Sequence, residues 1–323
     1  MKKLIVFALL LVGCDKIDPD LKNVNFREEM RTFVGEISNY AKSKDSEFII
    51  IPQNGVKLAT LENHPDGQVA TLYLDKIDAV GQEDLLFGYD QDNQKSPVIF
   101  TSHTSSYLDI VKDHGKAILV TDYCSDPSKM DDSYTYSNQK EYISFAAPYR
   151  ELNVIPGYPP APRDSNTRDI LTINDASNFL YLINPENYSS KEELIFALAA
   201  TNYDVIIMDA FFDNQLLLAG DLESIKYKYN GGTRLLISYM SIGEAENYRY
   251  YWKSSYKVDP PEWLSDPNPD WPGNYKVKYW MGSWKSVIYG DNNAYLDMLL
   301  EVGFDGAYLD IVDGYLYYEN LMH

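Results

Sequence analysis

The sequence predicts an α/β fold, a single parallel (β/α)8 barrel. Three observations carry this expectation: eight short apolar or β-branched runs, amphipathic helical segments between them, and acidic residues where several runs end. Strand and helix alternating eight times in a chain of 323 residues suits one closed parallel barrel better than an open doubly wound sheet. A glycine-rich nucleotide loop is absent, which argues against a dinucleotide or P-loop fold.

The chain opens with MKKLIVFALLLVGC, where Lys2 and Lys3 precede an apolar run over 4–12 and Gly13 precedes Cys14. That run is too short to span a bilayer and reads as a secretory signal over residues 1–13. Its ending, LVGC, resembles the lipobox of bacterial lipoproteins, which implies a lipid-bearing Cys14, a tether over 14–23 and a folded domain over 24–323. The expected location is the cell envelope, on the periplasmic or cell-surface face of the membrane that holds the lipid.

A helix over 26–42 places Met30, Phe33, Val34, Ile37 and Tyr40 on one face. The strands follow as FIIIPQN at 48–54, AVGQE at 79–83, AILVTDY at 117–123, YISFAAP at 142–148, FLYLIN at 179–184, VIIMDAF at 205–211, LLISYMS at 235–241 and the run over 306–312. Helical segments at 190–201 and 294–302 separate some of them, the second ending at Gly303 as a C-cap. The run GFDGAYLDIVD at 303–313 delivers Asp310 and Asp313 at its C-terminal end, the end that faces the mouth of a parallel barrel. Only ten residues follow it, so the elements that should come next are expected at the front of the chain.

Acidic residues number 48 against 28 basic ones, a net charge of −20, or −22 once Lys2 and Lys3 leave with the signal. Nucleic acid is excluded as a partner for such a surface, and a neutral or cationic ligand is favoured over an anionic one. Cys124 is the one cysteine besides Cys14, so no disulfide is expected within the domain, and Cys124 reads as a buried thiol. His64, His103, His114 and His323 are scattered, so neither a metal site nor another cofactor is expected. The 28 tyrosines and five tryptophans hint at sugar stacking, but most are expected in core or half-buried packing. The domain is expected to be a monomer.

Five segments resemble the TIM barrels of glycoside hydrolase family 114, related to the endo-α-1,4-polygalactosaminidases: YDVIIMDAF at 203–211, LLISYMSIGEAENYRYYW at 235–252, PDWPGNYKVKYW at 269–280, GFDGAYLDIVDGY at 303–315 and FIIIPQNG at 48–55. In the usual family order the IPQN strand follows the LDIVD strand, whereas here it comes first. The resemblance therefore implies a circularly permuted barrel, with His323 near Asn23 or Asn25 and the strand from Phe179 paired with the one from Tyr142. It also implies hydrolysis of a polysaccharide, one that contains galactosamine.

Hydrolysing a glycosidic bond generally needs two carboxyl groups, one as acid and one as nucleophile or base. Strand-end candidates are Glu83, Asp122, Asp209, Glu244, Asp310 and Asp313. The family pattern, an Asp in L-D-x-V-D and a Glu two strands onward, matches Asp310 as nucleophile or base and Glu83 as general acid. Either could instead be a structural acid of the rim. Asp122 and Asp209 are expected to touch substrate, or to be buried partners of an Arg or Tyr. Asn54 and Tyr239 are further substrate ligands, and Asp313 is a substrate contact or a loop cap. Glu244, Glu246 and Arg249 lie at helix-turn spacing, so Glu244 either meets substrate or joins a local salt bridge. Trp263, Trp271, Trp280 and Trp284 form either a sugar-stacking wall, with Trp280 as its representative, or ordinary loop packing. A carbohydrate-binding lipoprotein that has lost catalysis is the alternative. A metal-dependent deacetylase would need grouped histidines that are absent.

Overall fold

The computed structural model describes residues 19–322. The signal, Cys14 and the lipobox lie outside the described residues, as does His323.

Strand β1 (Ile49–Pro52) follows the helix Phe26–Lys44. Asn25 starts that helix by accepting a hydrogen bond from the Glu28 N–H, and Glu28 and Glu29 complement the positive end of its dipole. Then come β2 (Ala79–Glu83), β3 (Ala117–Tyr123), β4 (Ile143–Ala147), β5 (Phe179–Leu182) and β6 (Val205–Asp209). A small hairpin, β7 (Phe211–Phe212) and β8 (Gln215–Leu216), precedes β9 (Leu235–Ser241). After β9 the chain makes an antiparallel excursion of β10 (Glu244–Glu246), β11 (Leu264–Pro267) and β12 (Asn274–Val277), and β13 (Gly306–Asp310) completes the series. The eight expected strands correspond to β1–β6, β9 and β13.

These eight form two parallel sheets, one ordered β1-β13-β9-β6-β5 and the other β2-β3-β4. Helices cover the outer faces and side chains fill the inner ones, so the strands read as nearly unbroken apolar runs. One seam between the sheets is stitched by a parallel bridge between Gln53 and Gly81 and by the Asn54 N–H donating to the Gly81 carbonyl at 2.9 Å. At the other seam, β4 and β5 share no ladder. The Phe145 ring lies there instead, 5.6 Å from Phe179 and 6.5 Å from Tyr203 between centroids. The pairing expected between the 142 and 179 runs is therefore a side-chain contact, and no closed barrel ladder forms.

The start and finish of the described chain meet. Arg27 donates to both carboxylate oxygens of Glu319, at 2.7 and 2.8 Å, and Phe26 stacks on Tyr318 at 5.4 Å.

Between the sheets, the buried rings of Tyr181 and Tyr308 pack with centroids 5.1 Å apart. Gly81 leaves room for them, since a Cβ there would lie 1.9 Å from the Tyr308 hydroxyl oxygen. Gly81→Ala is expected to destabilise the protein by about 1–3 kcal/mol through overpacking, a loss that urea denaturation would measure. An unchanged midpoint would contradict this packing.

Candidate active site

The C-terminal ends of the parallel strands open into a cleft of about 390 Å³. Glu83 enters it from the end of β2 and Asp310 from the end of β13. Three side-chain donors converge on the Glu83 carboxylate: Asn54 Nδ2 at 2.7 Å, Gln53 Nε2 and the Tyr123 hydroxyl. Asn54 also accepts from the Glu83 backbone N–H at 2.9 Å, so it grips this residue at two points. Gln53 accepts in turn from the Tyr181 hydroxyl at 2.9 Å. Two donors from the end of β1 and one from the end of β3 thus leave the carboxylate little freedom.

Asp310 is held differently. One side-chain donor, the Tyr239 hydroxyl, reaches it at 2.7 Å. Burial, and then the charge of Glu83, push its carboxyl up from 3.8 to about 8, while the Tyr239 hydrogen bond and the Ile311 N–H only partly oppose the shift. Burial and the Glu83 charge both favour the protonated form of Asp310. The next residue, Ile311, has φ of 58°, a left-handed conformation that a β-branched side chain seldom adopts. That turn sends Asp313 into the same cleft. Burial and the Glu83 charge raise the Asp313 carboxyl to about 6, against the pull of Lys276.

The strand end of β6 and the turn after β10 supply the far wall. Arg249 reaches Asp209 through Nη1 at 2.8 Å and Glu246 through Nε at 2.6 Å, and Tyr248 donates to Glu246 at 2.6 Å. Glu244 is fully buried and accepts from Asn268 at 2.8 Å, from Asn274 at 3.2 Å and from Lys276.

Residues 194–322 match the glycoside-hydrolase family GH114 model. Three uncharacterized proteins are similar to parts of this chain. One, from Thermotoga maritima, is 36% identical over 121 residues, covering 38% of this chain and 36% of that protein. One from Methanocaldococcus jannaschii is 36% identical over 156 residues, covering 47% and 42%. A third, from Deinococcus radiodurans, is 35% identical over 124 residues, covering 38% of each. The chain spans less than half the length of these curated relatives. The matched residues include Asp209, Glu244, Arg249, Asp310 and Asp313, whereas Glu83 and its three donors precede the match.

The structure brings Glu83, Asn54, Asp209, Glu244, Tyr239, Asp310 and Asp313 to one cleft. Two expected substrate ligands lie elsewhere. Asp122 is fully buried and accepts from the Leu86 N–H at 2.8 Å, the Phe87 N–H at 3.2 Å and the Ser133 hydroxyl at 2.6 Å, so it fixes the loop after β2. Trp280 packs on Phe26 and Tyr318, against the meeting point of the chain ends. Asn54 and Asp209 line the cleft with their polar groups committed to Glu83 and Arg249. Residues 244–246 are a strand rather than a helical turn, yet the Glu246–Arg249 pair does form. Gln53, Tyr123 and Tyr181 are cleft residues that a reading of strand-end acids passes over. The signal for the first two was parity, because successive strand residues point to opposite faces.

Linkage gives a sign that can be tested. A carboxyl whose folded pKa is raised favours the folded state while protonated and loses that contribution as pH climbs from the unfolded value toward the folded one. Asp310→Asn is therefore expected to gain thermal stability relative to the parent as pH rises from about 4 to about 8. Calorimetric midpoints that differ by a constant amount across that range would refute the raised carboxyl.

Proposed function

We propose that the protein is a glycoside hydrolase that cleaves a polysaccharide with Asp310 and Glu83. The observation that supports this most is the convergence of two carboxyl groups from different strand ends in one cleft, close enough for the charge of Glu83 to favour a proton on Asp310. Glycoside hydrolysis uses one carboxyl with a proton and one without. In the free protein burial and the Glu83 charge favour a proton on Asp310. The assignment of Glu83 as acid and Asp310 as nucleophile or base requires that proton to pass to Glu83 when substrate fills the cleft. A cationic sugar beside Asp310 and Asp313 drives the transfer in that direction, since a positive charge favours the ionised form of the carboxyls nearest to it.

The same charge logic favours a galactosamine-containing polymer with free amino groups. Among the described residues Asp313 is the cleft acid whose carboxylate meets no side-chain donor within hydrogen-bond distance, which leaves it available to an ammonium. The cleft cations Arg150 and Arg249 are both engaged by acids.

Three broader features complete the reading. The eight strands are taken as a circularly permuted (β/α)8 barrel, supported by the stitched β1/β2 seam, the Phe145 packing across β4 and β5, and the Arg27–Glu319 junction of the chain ends. Export and lipid anchoring through Cys14 rest on the LVGC ending of the signal. A neutral or cationic glycan, rather than nucleic acid, remains the partner that the acidic surface favours.

The test is reducing-end release from galactosaminoglycan and from its N-acetylated form. Asp310→Asn and Glu83→Gln are each expected to lower release by about 10²–10⁴-fold while retaining the parent's circular dichroism. Acetylation is expected to weaken turnover. Release unchanged in either variant would remove the two-carboxylate mechanism, and binding without release by the parent would favour a non-catalytic carbohydrate-binding protein.

A further inference from the structure

Of the five tryptophans, Trp252, Trp263, Trp280 and Trp284 pack against neighbouring aromatic rings. Trp271 makes no such contact among the described residues, is 54% exposed and lines the cleft that holds Asp310 and Glu83. An indole left half in water forgoes burial that the other four obtain.

The loop carrying it is firmly held. Trp271 lies at the tip between β11 and β12, and Glu244 takes hydrogen bonds from Asn268 before the tip and from Asn274 and Lys276 after it. The Asn274 N–H donates to the Trp271 carbonyl at 3.0 Å, and the Asn247 N–H donates to the Gly273 carbonyl at 2.9 Å. A wholly buried carboxylate with three donors is costly to disturb, so the tip is fixed relative to the end of β9. Tyr248, 49% exposed, presents a second ring to the cleft.

We propose that Trp271 is a sugar-stacking platform beside the two carboxyls and that Glu244 is the residue that positions it. The proposal rests on reading the cleft as a carbohydrate site. One face of a pyranose is a patch of C–H groups, which packs on an indole while the hydroxyls around its edge keep their hydrogen bonds. A platform fixed in advance loses little freedom when the sugar arrives. Trp271 therefore binds the ring, and Glu244 acts through the loop.

The experiment titrates galactosaminoglycan oligosaccharides into Asp310→Asn protein by calorimetry, so that binding is read without turnover. Added Trp271→Ala is expected to weaken binding by about tenfold or more, and Trp271→Phe to restore most of the loss. Glu244→Gln is expected to weaken binding less, and to shrink the further loss caused by Trp271→Ala, the coupling that a positioning role requires. Tyr229→Ala removes a ring that is 77% exposed and does not line the cleft, and should change nothing. Equal affinity with and without the Trp271 indole would overturn the platform, as would the failure of the Asp310→Asn protein to bind any oligosaccharide. Strictly additive losses would overturn the role of Glu244. Trp271-dependent binding, with no reducing-end release by the native chain, would uphold the platform and sink the hydrolase reading.

Discussion

The site depends on the need to satisfy one half-buried carboxylate in the cleft. Half-burying Glu83 without donors would be costly, and the fold answers with an amide pair from the end of β1 and a phenol from the end of β3. Those donors also join the two sheets, because Gln53 and Asn54 sit where β1 meets β2. Through Gln53 the network reaches Tyr181 on β5. The hydrogen bonds that keep the carboxylate in place are thus the same ones that hold strand ends from both sheets in register.

A second consequence of that charge falls on its neighbours. Asp310 has one side-chain donor and Asp313 has none, so burial first, and the Glu83 charge second, make both hold protons more tightly. Three acids in one cleft therefore have unequal surroundings, and unequal surroundings separate chemical roles among residues of one type. The left-handed turn at Ile311 places two of them. Gly243 accommodates it, because a Cβ at that position would stand 2.2 Å from the Ile311 carbonyl oxygen.

Much of the architecture was legible in the sequence because buried parallel strands are written as short apolar runs, and all eight stood where such runs occur. The site was legible where an acid closed a run, as with Glu83 and Asp310. Reading acids alone failed at β3, where adjacent residues face opposite ways: Asp122 turns outward to hold a loop, and Tyr123 turns into the cleft. Tryptophan content misled for a related reason. Trp263, Trp280 and Trp284 are near neighbours of Trp271 in sequence, but the excursion after β9 folds back and buries them or packs them on other rings, leaving Trp271 at its tip. Nothing local marks β10 as a strand either, since it is completed by pairing with β12, about thirty residues later. The missing ladder between β4 and β5 lies equally beyond local pattern, because Phe145 reads as an ordinary strand residue until its partner is known.

The position of β13 has a consequence for how the molecule is made. It is the last of the described strands, yet it lies inside its sheet, hydrogen-bonded to β1 on one side and β9 on the other. A chain emerging from its N-terminus must hold β1 and β9 apart, each with an open edge, until β13 arrives to fill the slot. Open edges of this kind recruit other strands. The sheet therefore stays open until β13 is made, and the insertion that fills it is also the event that first brings Asp310 to Glu83.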